Sequence, residues 1–250
     1  MFSEIYTSKQ PAPLQSYALM ACSLGVTVAT LVFPNLQHVF GSFDEGTDFM
    51  QRLTVAFQHG FEWRSSVVHL LIDLVLMAFI AVFTEKVLGA WMFFLLSIST
   101  LAWYSLVHTV FGMMGHGGSG LIWAFAPVVF YVLNEGRLLK TRSQFDELFR
   151  TFRLILAIMY LVIPVLMSII PIYFDSETPL LRSIIYGNLF HITATLWGIG
   201  FTMLFREQIR VRLKQFAKKK KFEPLESDRY AAFLPWFYPL LIVLGFIFSR

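Results

Sequence analysis

The chain has 250 residues, of which 56% are apolar and only 14% charged, with a formal net charge of +4; ordinary soluble domains carry roughly 25% charged residues. Its 27 phenylalanines are more than a soluble domain of this size buries, and so rich an aromatic content excludes intrinsic disorder. The single cysteine, Cys22, excludes an intrachain disulfide scaffold, and the composition is that of a membrane protein.

A lipid-spanning helix needs about 20 largely uncharged residues, so the gaps between charges mark the spans. Gln10 to Phe43 carries no charge and its apolar part is stopped by Pro34, which predicts a first span over about 16–35. Ser65 to Thr84 predicts a second (65–84), broken only by Asp73. Val87 to Asn134 is 48 residues without a charge, enough for spans over 87–110 and 119–134. The glycine-rich run from Phe111 to Gly118 supplies the turn between them. Further spans are expected over 154–174, 183–205 and 230–249, with a basic linker over 206–229. This describes one all-α integral membrane domain, 1–250, with seven spans, no signal peptide and no internal repeat.

The basic residues orient it. With the N-terminus cytoplasmic, sixteen of the twenty Lys and Arg fall on the inner side and four (Arg52, Arg64, Arg182, Arg250) on the outer side. The expected topology is therefore N-terminus inside and C-terminus outside. The stretch Arg206 to Lys221 reads as an anchor on anionic lipid headgroups of the bilayer, and no nucleic-acid partner is expected.

Ionisable residues inside a membrane are costly and mark function. His69 and Asp73 share one face of the second span, Ser119 opens the fourth, and His191 lies in the sixth with Thr193 and Thr195 nearby. In the expected topology these three spans enter from the outer side, and at about 1.5 Å of rise per residue all four residues lie in the outer half of the bilayer. Serine becomes a nucleophile when a base takes its proton, and histidine suits that task. A helix start after a glycine-rich turn also leaves backbone N–H groups for a developing oxyanion. A Ser–His dyad of this kind hydrolyses amides or esters. His38, His59, His108 and His116 lie near span ends or in outer loops and read as solvated.

These residues resemble the rhomboid family of intramembrane serine proteases. The family's G-x-S-G is matched by Gly117-Gly118-Ser119-Gly120, and its aromatic residue one turn later by Trp123, where tyrosine is usual. Its sixth-helix pattern is matched by His191 to Ala194 and then Gly198, with Ala194 replacing the first glycine. Glu85-Lys86-Val87-Leu88-Gly89 is similar to the family's motif at the end of helix 2. The resemblance runs from about Arg52 to Arg206 and implies a six-helix core plus a seventh C-terminal span. It implies Ser119 as nucleophile, His191 as general base then acid, and His69 with Asp73 as oxyanion support, aided by Gly117, Gly118 and Trp123. No metal or other cofactor is implied, the substrates would be transmembrane segments of other proteins, and a bacterial inner membrane is the expected location.

Two departures matter. Asp73 stands where the family usually has Asn, so it is protonated in place, or pairs with His69, or impairs the enzyme. Gln51-Arg52 stands where Trp-Arg is common. Gly120 with Ala124, and Ala194 with Gly198, are small residues at four-residue spacing that suit close packing of the fourth and sixth helices. Two alternatives remain: a catalytically impaired rhomboid-like protein that binds transmembrane clients, and a seven-helix zinc-dependent lipid hydrolase. Ser65, His69 and Asp73 resemble part of the zinc pattern, but the chain has no H-x-x-x-H pair to complete a zinc ligand set.

Overall fold

A computed structural model of the protein describes residues 12–40, 49–60, 62–111, 116–138, 142–166, 180–219, 225 and 231–248. Among these residues the secondary structure is entirely helical. Eight longer helices follow in order: α1 (Leu14–Val32), α2 (Trp63–Leu88), α3 (Ala90–Phe111), α4 (Ser119–Leu138), α5 (Arg142–Ala157), α6 (Leu180–Leu204), α7 (Arg206–Lys219) and α8 (Phe237–Phe248). Short helical turns (Gln37–Phe40, Phe49–Thr54, Val55–Phe57) connect α1 to α2.

Punctuation in the sequence sets the helix ends. Pro13 precedes α1 and Pro34 follows it, because proline suits a helix start and not its interior. Gly89 ends α2 with φ 79°, and its N–H closes on the Glu85 carbonyl at 2.8 Å, so the chain turns straight into α3. Gly117, with φ 104°, makes the corresponding turn into α4.

Among the described residues three helices, α1, α2 and α3, are long and apolar enough to cross a membrane; α6 and α7 form a pair bent by 70° that supplies a fourth if taken as one span. Of the other stretches expected to span, 119–134 falls within α4 and 230–249 contains α8. The α4 helix carries Asn134 and Glu135 near its end, and α8 is only 12 residues long. The expected span 154–174 falls on a helix that begins earlier, at Arg142, and passes through a π-helical turn (Ile158–Val162); residues 167–179 lie outside the described set. The segment expected as a basic linker is helical over most of its length, in α7.

The core lies where α4 meets α2 and α6. Ile122, Ala124, Phe125, Ala126, Val128 and Val129 of α4 are completely buried. The closest approach is α4 to α6: a Cβ added to Gly198 would run into the Ala124 carbonyl, so only glycine permits this contact. Ala194, one turn earlier on α6, is 1% exposed. Gly120 packs in the same way beneath the Tyr104 ring of α3. Many other apolar side chains, such as Val68, Leu71, Val75, Leu106, Phe130 and Leu196, face outward, as lipid contact requires.

A polar knot closes the opposite end of α2. The Glu85 carboxylate accepts hydrogen bonds from Gln15 N–H (3.1 Å), Ser16 N–H (2.8 Å) and Ser16 Oγ (2.7 Å). It thereby caps α1, whose first N–H groups lack partners within the helix. Gln15 in turn donates to the Ala90 carbonyl at 2.7 Å and accepts from Tyr238 of α8 at 3.2 Å. Arg212 of α7 donates to the Lys86 carbonyl at 2.9 Å.

Candidate active site

Ser119 is the first residue of α4, and the helix direction projects it toward α6 just past the Gly117–Gly118 turn. The close α4–α6 packing brings its Oγ to 2.9 Å from Nε2 of His191. That is hydrogen-bond distance between a hydroxyl and an imidazole, the contact a general base needs. Gly198 against the Ala124 backbone, with Ala194 one turn earlier, is what allows the two helices to come this close, whereas Gly120, expected at the same contact, faces the Tyr104 ring of α3 instead.

The His191 ring is held by stacking. Trp123, one turn after Ser119, lies parallel to it, with ring centroids 4.6 Å apart and 17° between planes. Tyr160 meets the other edge of that indole at 4.8 Å. The buried Nδ1 of His191 has no hydrogen-bond partner among the described residues. The pair is therefore a Ser–His contact whose imidazole is oriented by an aromatic face, which would also favour an imidazolium.

Four more side chains gather beside the dyad. Asp73 of α2 is buried, with Oδ2 3.0 Å from Nε2 of His59 and 3.7 Å from Nε2 of His69. His69 stands edge-on to His59 at 5.2 Å and to His116 at 5.5 Å. Enclosure, and then the neighbouring His69 and His59, push the His116 imidazole down to about 3, so it is uncharged at neutral pH. A Cβ on Gly117 would meet the His69 ring 2.6 Å away, so that turn is closed by lack of space as well as by its positive φ.

Two sequence expectations change here. His59 and His108 were expected to be solvated, yet they are 0% and 1% exposed. The segment from Val55 to Gly60 runs inside the bundle instead of over its surface, and His108 stacks on Phe190 at 4.1 Å. Of these, His59 is the residue that sequence reasoning missed. The closest partner of Asp73 is His59, not His69. The N–H groups of Gly117 and Gly118 are also already engaged, by the Val55 carbonyl and by His59 Nε2, each at 3.2 Å. The oxyanion donors available by helix geometry are instead the N–H groups of Ser119 and Gly120, which open α4 and have no partner within it.

Ser119, His191 and Trp123 are thus in mutual contact, His69 and Asp73 pack against the Gly117–Gly118 turn that leads into Ser119, and Ala124, Ala194 and Gly198 lie along the helices beyond them. No group of His, Cys, Asp or Glu among the described residues has the arrangement of a metal site. Comparison with protein-family models, with curated proteins and with solved structures finds no match to this chain.

Proposed function

We propose that this protein is an intramembrane serine endopeptidase of rhomboid type that cuts transmembrane segments of other membrane proteins. The observation that carries the reading is the 2.9 Å contact between Ser119 Oγ and His191 Nε2, with Trp123 stacked on that imidazole. In the reaction Nε2 takes the Ser119 proton as Oγ bonds to the scissile carbonyl carbon. The developing oxyanion is met by the N–H groups at the start of α4. His191 then hands the proton to the leaving amide nitrogen, the C–N bond breaks, and water releases the acyl group by the same steps in reverse roles.

The membrane setting of the proposal is an N-terminus in the cytoplasm, a C-terminus outside, and a bacterial inner membrane as location. In it, α6 completes a span and α7 bends away to lie on the inner surface. Its apolar residues Ile209, Leu213 and Phe216 are buried against the bundle and Arg210 pairs with Glu135 at 3.3 Å, while Arg206 stays exposed toward anionic headgroups. One observation favours a client-binding protein without protease activity: the Gly117 and Gly118 N–H groups are both occupied.

Reconstitution in liposomes with a single-span substrate separates the readings. The protease reading expects cleavage near the outer face by the wild type, none by Ser119→Ala, and no effect of chelators. Equal cleavage by Ser119→Ala overturns it, and loss of cleavage on chelation points to the zinc hydrolase.

A further inference from the structure

His59 is a buried histidine that the Ser119 reaction as written does not use, and the donors around it determine its protonation. On one side of the ring, Nδ1 faces Thr27 Oγ1 at 3.1 Å and the Phe57 carbonyl at 3.3 Å. The Thr27 hydroxyl gives its own proton to that same carbonyl, at 3.2 Å. Both groups can therefore accept from Nδ1, and the ring proton belongs there. On the other side, Nε2 receives the Gly118 N–H at 3.2 Å, which requires an unprotonated nitrogen. Asp73 Oδ2 lies 3.0 Å from that same Nε2. A carboxylate oxygen and an imidazole lone pair repel at this distance unless a proton lies between them. With Nε2 already an acceptor, that proton sits on Asp73.

We propose that His59 is a positioning residue of the Ser119 site, holding the Gly118 peptide through an Nε2 kept unprotonated by a proton resident on Asp73. This rests on the protease reading for its catalytic consequence, though not for its hydrogen-bond arrangement. A neutral Asp73 matches in shape the Asn that the resemblance leads one to expect here, and like it can present a donor to Nε2. When the pair loses one proton, the remaining ring proton shifts from Nδ1 to Nε2 and donates to the Asp73 carboxylate, the Thr27 hydroxyl turns to donate to Nδ1, and Nε2 no longer accepts from Gly118. The turn immediately before Ser119 loses one of its two anchors, leaving only the Gly117 bond to the Val55 carbonyl. The hydroxyl then drifts from His191, and small misplacements of reacting groups cost about 100-fold in rate.

The other titratable groups facing this pair are His69 on α2, His116 on the turn (itself near His108 of α3), Tyr104 on α3, and His191 on α6. His191 must be uncharged to act as base, so it limits the rate on the acid side. Asp73 ionisation sets the alkaline side.

The test combines two readouts on the full chain in detergent: the pH profile of fluorophosphonate labelling and 15N NMR of the histidine rings. The NMR signal is assigned through His59→Gln. The expected result is an unprotonated His59 Nε2 near neutral pH and a wild-type labelling rate that falls on the alkaline side. In Asp73→Asn the alkaline fall disappears, because the amide carries its donor at every pH. His59→Gln, whose Oε1 still accepts from Gly118, stays within about 10-fold of wild type, while folded His59→Phe loses about 100-fold. A protonated Nε2 across the pH range, or an alkaline fall that persists in Asp73→Asn, overturns the proposal. If wild type never labels, the protease reading fails, and the NMR still decides the state of His59.

Discussion

Two buried carboxylates on α2, Asp73 and Glu85, lie about 18 Å apart at 1.5 Å of rise per residue and show how differently the ends of this bundle work. Glu85 is met by three fixed donors from the first turn of α1, two of them backbone N–H groups. None of those donors titrates, and the helix start they belong to favours negative charge. Asp73 is met by imidazoles, His59 at 3.0 Å and His69 at 3.7 Å, whose protonation can change. A carboxylate satisfied by backbone fastens helices together. One met by imidazoles, beside a Ser–His contact, can instead exchange a proton with its partners.

Exchanging these roles by mutation sharpens the contrast. The largest effect on stability is expected from Glu85→Ala, which strands the donors at the start of α1 and costs about 3–5 kcal/mol, as breaking buried charged networks does. The labelling rate per folded molecule should stay at the wild-type value, read by thermal unfolding alongside fluorophosphonate labelling. Asp73→Asn should do the reverse, with stability within about 1 kcal/mol of wild type because donor and volume are kept. A loss as large as that of Glu85→Ala would erase the distinction between the two ends.

Gly198→Ala comes next, since its methyl group meets the Ala124 backbone carbonyl, which has little room to yield. Overpacking of this kind costs about 1–3 kcal/mol, and because it parts α4 from α6 it should also slow labelling. Both losses together are expected; lost stability with an unchanged rate would show that the dyad does not depend on this contact. The smallest expected effect on stability is that of Trp123→Tyr, which keeps a ring on His191 and should cost about 1 kcal/mol or less. Trp123→Ala, by contrast, should lower the labelling rate about 10-fold by freeing the imidazole, within the usual range for general-base effects.

Much of the candidate site was legible because its residues obey short-range rules. A serine after two glycines marks a helix start, and small residues at four-residue spacing mark a close helix contact. A histidine in an apolar span needs a reason to be there. His59 was not legible, because its importance comes from the path of Val55 to Gly60 through the interior, which no local pattern encodes. Glu85 was visible as part of a motif, but its partners are 69 and 70 residues away in sequence, at the start of α1. Counting uncharged stretches also blurred the amphipathic helices. Ile209, Leu213 and Phe216 recur at helical spacing among lysines and arginines, and that period was the available signal for α7. The early start of α5 was hidden in the same way by Arg142, Asp146 and Glu147.

The most direct test of the central claim is to label the purified protein with a fluorophosphonate and map the adduct by mass spectrometry. The Ser119–His191 geometry predicts a single adduct on Ser119 in the wild type, and none in Ser119→Ala or His191→Ala variants that remain folded. Folded wild-type protein without an adduct on Ser119, or His191→Ala labelled as fast as wild type, would contradict it.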